Sequence, residues 1–113
     1  MKYTSTFQID CGVTHGFGIK YPENYERLDF IESETEIEAF KGAYQIATHH
    51  ARDHLSNPNT DFTTVTLKSL RDSTGKLIPQ EPLASKLGIL LREGQIFVQC
   101  SLLEHLLDLV KDK

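Results

Sequence analysis

The stretch that decides the fold is SETEIEAFKGAYQIATHHARDHL, residues 33–55. Apolar side chains recur in it every three or four residues, which is the period of a helix with one buried face. Ser33 with Glu36 three residues later forms the pattern of a capping box and predicts the helix start, while the sequence at 57–59 predicts its end. Gly42 inside the helix indicates close packing of another element. We expect the buried face to comprise Ile37, Phe40, Tyr44, Ala47, Ala51 and Leu55.

The segment before this helix is expected to form a β-hairpin. Residues 2–9 and 13–21 alternate between apolar and polar side chains, the period of a half-buried strand. The short link 10–12 contains a glycine and is expected to be the hairpin turn. The acidic stretch 22–32 begins with a proline and is expected to form a loop before the helix.

The segment after the helix is expected to consist of short strands. Residues 62–67 are rich in β-branched side chains and predict a strand, and the turn signal at 72–75 is followed by a short return strand at 76–79. Residues 80–82 are expected to be a loop. A last strand pair, 87–91 and 95–100, is expected to bend at Glu93 and Gly94.

The chain is expected to end in a short, very apolar helix. Ser101 and Glu104 form a second capping box. These elements predict the α+β class: a two-layer sandwich with a largely antiparallel sheet built from hairpins, in the order β-β-α-β-β-β-β-α. The length of 113 residues fits a single domain over residues 1–113.

Composition excludes several classes of protein. Apolar residues make up 39% and charged residues 25% of the chain, which is typical of a globular protein. No apolar run is long enough to cross a membrane, and the first ten residues lack the apolar region of a secretory signal. Two cysteines, Cys11 and Cys100, do not make a disulfide framework, and they are expected to pair only if their strands are neighbours. We therefore expect a cytoplasmic protein.

Charge is distributed unevenly along the chain. The formal net charge is −4, and residues 23–38 alone carry −6, whereas residues 62–92 carry +3. An acidic segment of this kind repels nucleic acid and anionic membranes and attracts a basic protein partner. The alternative is a solvated segment at a helix N-terminus, where acidic side chains favour the helix dipole. We expect Glu32, Glu34 and Glu36 to contribute to a partner surface.

A cluster of histidines lies near the end of the long helix. His50 and His54 are four residues apart and share a helix face, the spacing at which two imidazoles can bind one divalent metal ion. Ala51 stands where a zinc protease carries a glutamate, and a third ligand would have to come from elsewhere in the fold. The candidates for it are His15, His105, Glu104 and Cys100. The alternative is a helix C-terminus enriched in cationic side chains.

The sequence contains no complete catalytic or cofactor-binding motif. It has neither a glycine-rich phosphate loop, nor a nucleophile elbow, nor a pair of closely spaced cysteines. An enzyme is therefore not the expected function, and no cofactor is predicted. A third hypothesis is a small-molecule sensor with a pocket near Tyr44 and His15.

The last helix carries more apolar side chains than one packing face needs. One stripe is Leu102, Leu106 and Leu109, and a second is formed by three further aliphatic residues on the other side. Either the helix is covered on both sides, or one stripe binds a partner or a second copy of the chain. The main functional hypothesis is therefore a small acidic protein-protein interaction module, and the alternative is a divalent-metal-binding protein or hydrolase.

No residue motif places the chain in a family. The order β-β-α-β-β is similar to that of β-grasp domains, and the small acidic format resembles bacterial immunity proteins and phage-encoded inhibitors. These resemblances concern fold and size, and they imply an adaptor, an inhibitor or an immunity-type protein as the kind of interaction module.

Overall fold

The computed structural model describes residues 1–15 and 18–111. Within them, five antiparallel strands form one sheet in the order β2-β1-β3-β5-β4, and three helices pack on one face. This confirms the α+β class with a largely antiparallel sheet. None of the described helices is long and apolar enough to cross a membrane. The elements are β1 (Lys2–His15), β2 (Gly18–Glu32), α1 (Glu36–Leu55), β3 (Phe62–Arg71), α2 (Gln80–Leu87), β4 (Leu91–Arg92), β5 (Gln95–Ser101) and α3 (Leu102–Lys111).

The first hairpin is longer than the sequence predicts. The expected turn at 10–12 is wrong, because β1 continues through it to His15 with only a bulge between Cys11 and Val13. The expected acidic loop at 22–32 is also wrong. These residues belong to β2, an edge strand that pairs with β1 along its whole length. Charged side chains on an edge strand discourage pairing with other chains, so the acidic composition is compatible with a strand here.

The long helix begins two residues later than its expected start. The Thr35 hydroxyl accepts the backbone N–H of Glu38 at 3.2 Å and caps the helix. Ser33 instead donates its backbone N–H to the carbonyl of Met1 at 3.0 Å, which extends the contact between β2 and β1. The predicted capping pair of Ser33 and Glu36 is therefore wrong. The N-cap is also a hydroxyl side chain, but it is that of Thr35.

The core lies between α1 and the inner face of the sheet. Every fourth residue of α1 from Ala39 to Ala51 is a buried alanine, so the helix backbone lies close to the strands. A Cβ atom at Gly42 would lie 3.2 Å from Cγ2 of Ile31, which confirms the close packing expected there. Tyr44, expected in the core, is instead exposed. The largest fully buried side chains are those of Phe7, Phe40, Ile9, Leu67, Leu70 and Ile96.

The segment after β3 contains a helix where strands and a loop were expected. The return at 76–79 forms only an isolated bridge between Arg71 and Leu77, and α2 follows from Gln80. Proline in the first turn of a helix removes no intrahelical hydrogen bond, so Pro82 does not prevent α2. Gly88 then ends α2 in the left-handed conformation. The element order is therefore β-β-α-β-α-β-β-α rather than the predicted one.

The two predicted bends after β3 are confirmed. In the first, the Asp72 carboxylate accepts hydrogen bonds from Thr74 and Lys76, and Gly75 has a positive φ of 87°. In the second, Glu93 and Gly94 both have positive φ, as a tight two-residue hairpin requires.

Candidate functional site

A polar seam joins the edge strand β2 to the side of α1. Alternate residues of β2 face the helix, and in this strand they include Glu23, Tyr25 and Asp29. His50 and His54 lie one turn apart on α1 and reach the same seam. The seam therefore contains the two histidines that the sequence singles out, but each has a different partner.

A hydrogen bond joins the buried side chain of His50 to the sheet. Its Nε2 lies 2.8 Å from the Asp29 carboxylate, and only 5% of the residue is exposed. The Phe7 ring meets the imidazole edge to face, with centroids 5.7 Å apart. The Arg27 guanidinium lies 3.5 Å from the same Asp29 oxygen. His50 thus joins α1 to β2.

His54 faces a different group of side chains. Its Nδ1 lies 3.7 Å from Cys11 Sγ, and Cys11 Sγ lies 3.7 Å from a carboxylate oxygen of Glu23. All three potential ligand atoms lie within 4.8 Å of one another. The hydroxyl of Tyr25 is hydrogen-bonded to His54 Nε2. The structure therefore places His54 in a group of side chains that could bind a metal ion, and His50 does not belong to this group.

The cluster residues come together because of strand register. Cys11 lies directly opposite Glu23 in the β1–β2 pair, so their side chains share a face of the sheet. The C-terminal turns of α1 pass over this end of the sheet and bring His54 to Cys11. Glu23 and Tyr25 are two residues apart on β2, and both point toward the helix. Sequence analysis missed this group because it assigned residues 22–32 to a loop.

The Cys11 thiol is protonated at neutral pH. Burial is the main cause that raises its pKa to about 11, and the negative charge and hydrogen bond of Glu23 raise it further. Burial also raises the pKa of Tyr25. A nucleophilic cysteine needs a lowered pKa, so in this state Cys11 is a poor nucleophile.

The other proposed third ligands are not brought to His54. The cluster found among residues 1–15 and 18–111 contains Cys11, Glu23 and His54, but neither His105, Glu104 nor Cys100. The side chain of His15 lies outside the described part of the chain, so the proposed pocket beside it and Tyr44 is not described either.

Helix α3 forms a second candidate site, because it exposes its leucines. Both apolar stripes are uncovered, with exposed fractions between 42% and 71%. His105 and Asp108 are less exposed than these leucines, and Arg52 of α1 binds Asp108 at 2.8 Å. The helix thus turns a polar side toward α1. We call the apolar face of α3 the leucine face; it comprises Leu102, Leu103, Leu106, Leu107, Leu109 and Val110.

The N-terminal half of α3 borders an open groove of about 680 Å³. Its apolar lining comes from Phe62 and from Leu102, Leu103 and Leu106 of the leucine face. Asp61 contributes a carboxylate that accepts hydrogen bonds from Thr14. The groove therefore extends the leucine face toward the ends of the inner strands β1, β3 and β5.

The predicted acidic residues lie far from this face. Glu32 ends β2 and binds the N-terminal amine at 3.2 Å, while Glu34 and Glu36 lie exposed around the start of α1. From Glu36 to Arg52, which contacts α3, the helix rises by about 24 Å at 1.5 Å per residue. The acidic residues and the leucines of α3, which were both predicted to bind a partner, therefore do not form one continuous surface.

Comparisons with models of protein families, with curated proteins and with solved structures give no match for this chain, so its function is inferred from its own side chains.

Proposed function

We propose that the chain is a small protein-binding module whose docking element is the leucine face of α3. The observation that carries this proposal is the orientation of the helix, which directs six aliphatic side chains outward and a polar side inward. Together the exposed side chains present several hundred Å² of apolar surface, about as much as the largest patch on a typical monomer. Patches of this size commonly bind another protein.

The partner in this proposal presents an amphipathic helix with basic residues beside its apolar stripe. A helix with apolar residues every three or four positions fits the leucine face and the adjoining groove. Asp61 and Glu104 provide negative charge near one end of α3, and the whole chain carries −4. Basic flanks on the partner therefore match the charge of this surface and increase the association rate.

The experiment compares capture of partners from a lysate of the source organism by three forms of the chain. The wild type is compared with the double variant Leu103→Glu/Leu107→Glu and with Leu90→Glu. Leu90 is 89% exposed and lies between α2 and β4, so its replacement is a matched control for an added surface charge. Because all three leucines are exposed, the free energy of unfolding of each variant should lie within about 0.5 kcal/mol of the wild-type value.

We expect a stoichiometric partner to be retained by the wild type and by Leu90→Glu, but lost by the double variant. Capture of the same proteins by all three forms would refute the proposal. Sedimentation of the purified chain tests the alternative that a second copy of the chain binds the leucine face. A dimer that the double variant abolishes would show that the leucine face pairs with a second copy instead.

The acidic residues are tested separately because they lie at the other end of α1. Glu34→Lys/Glu36→Lys reverses two exposed charges there. We expect this variant to retain the partner but to bind it more slowly at low salt, because distant charges act mainly on the association rate. Loss of the partner would assign direct contact to the start of α1.

A further inference from the structure

We infer that Cys11 Sγ, His54 Nδ1 and the Glu23 carboxylate together bind a Zn²⁺ ion, with water in a fourth position. A thiolate, an imidazole and a carboxylate are the three kinds of side chain that bind zinc in proteins. They come from β1, α1 and β2, so the complete set exists only in the folded chain. This site is independent of the proposed function, because none of its residues belongs to α3.

The distances fit a tetrahedral ion. Zinc lies about 2.3 Å from sulfur and about 2.0–2.1 Å from nitrogen or oxygen, so adjacent ligand atoms around it are about 3.5 Å apart. The two distances from Cys11 Sγ, to His54 Nδ1 and to Glu23, are both 3.7 Å. Glu23 is exposed, so its side chain can close the remaining distance to His54 without a movement of the strand.

Tyr25 fixes the orientation of the imidazole that zinc binding requires. When Nδ1 binds a metal, the proton of the neutral ring is on Nε2. Nε2 is the atom that is hydrogen-bonded to the Tyr25 hydroxyl, so it would donate its proton there. Histidine ligands of zinc usually donate their second N–H to such a partner.

The mixture of ligands favours zinc over the alkaline-earth ions. Mg²⁺ and Ca²⁺ prefer sites built from oxygen atoms alone, whereas sulfur and nitrogen together select a softer ion. Cys11 would bind as a thiolate, and its proton would pass to the solvent. Because Glu23 lies at the surface, both the ion and a coordinated water can reach the site.

Cobalt titration of the reduced, untagged chain tests the site, since Co²⁺ occupies tetrahedral zinc sites and is coloured there. We expect one equivalent to give a sulfur-to-cobalt charge-transfer band, which one equivalent of Zn²⁺ then abolishes. Cys11→Ser should remove the band, and Cys100→Ser should retain it. A band that depends on Cys100, or the absence of any band, would overturn the inference.

Variants of the two less buried ligands keep the test decisive if Cys11→Ser fails to fold. His54→Gln and Glu23→Gln should each weaken Zn²⁺ binding, measured by calorimetry, at least about tenfold. Their matched controls are His49→Gln and Glu26→Gln, an exposed histidine on α1 and an exposed glutamate on the other face of β2. Equal affinity in His54→Gln and His49→Gln would overturn the inference whatever the cobalt spectrum shows. Neither result affects the proposed function, because that function is tested by partner capture with variants of α3.

Discussion

The contact between His50 and Asp29 joins α1 to the edge strand, and its removal should be costly. In Asp29→Ala the buried imidazole loses its partner at 2.8 Å. Leaving a buried polar group without a hydrogen bond costs about 1–3 kcal/mol. We expect urea unfolding of Asp29→Ala to show a loss of that size.

His49→Ala is the control for this contact, because His49 is the exposed neighbour of His50. Its free energy of unfolding should stay within about 0.5 kcal/mol of the wild type. An equally small effect in Asp29→Ala would show that the contact does not hold α1 to β2.

Gln80 stabilises the sheet where the pairing of β3 with β5 ends. Its side-chain N–H donates to the Leu67 carbonyl at 3.1 Å, and its side-chain oxygen accepts the Ile96 N–H at 2.9 Å. Gln80→Ala leaves both buried backbone groups without these bonds, so we expect a loss of about 2–6 kcal/mol at about 1–3 kcal/mol per group. Chemical denaturation measures it, with the exposed neighbour variant Glu81→Ala as control. Similar denaturation midpoints for Gln80→Ala and Glu81→Ala would contradict the role of Gln80 as a bridge between β3 and β5.

The turn after β3 should make stability depend on acidic pH. Hydrogen bonds, above all from the Thr74 hydroxyl, lower the pKa of Asp72 in the folded state. A lowered pKa stabilises the fold above the ordinary aspartate pKa, and this contribution disappears as the pH falls through the folded value. We expect Asp72→Ala to lower the urea midpoint slightly at pH 7 and to have less effect at pH 3. A difference that grows toward acidic pH would reverse the assigned sign.

Sheet order keeps the two cysteines apart in the whole molecule. Cys11 lies on β1 and Cys100 on β5, with β3 between them. Two strand spacings separate their backbones by about 10 Å, whereas a disulfide needs Cα atoms within about 7 Å. We expect the folded chain to keep both thiols after mild oxidation of the monomer. A mass spectrum two hydrogens lighter, with an intramolecular cross-link on digestion, would contradict this strand order.

The sequence alone predicted the local elements whose signals are contained within a few neighbouring residues. Helical periodicity identified α1, alternation identified the inner face of β1 from Tyr3 to Ile9, and the second capping box located α3, where Ser101 accepts the N–H of Glu104. The turns at 72–75 and 93–94 were predicted for the same reason. In each case short-range sterics and hydrogen bonding select the conformation.

Only the tertiary structure decided which face of each element is covered and which side chains meet. Residues 22–32 have the composition of a loop, yet they form a strand because β1 supplies their hydrogen bonds. The grouping of Cys11, Glu23 and His54 depends on strand register and on the path of α1, which link positions 43 residues apart. The sequence likewise did not determine whether the leucine face is covered or exposed. Burial depends on what the rest of the chain leaves uncovered, and no local pattern contains that information.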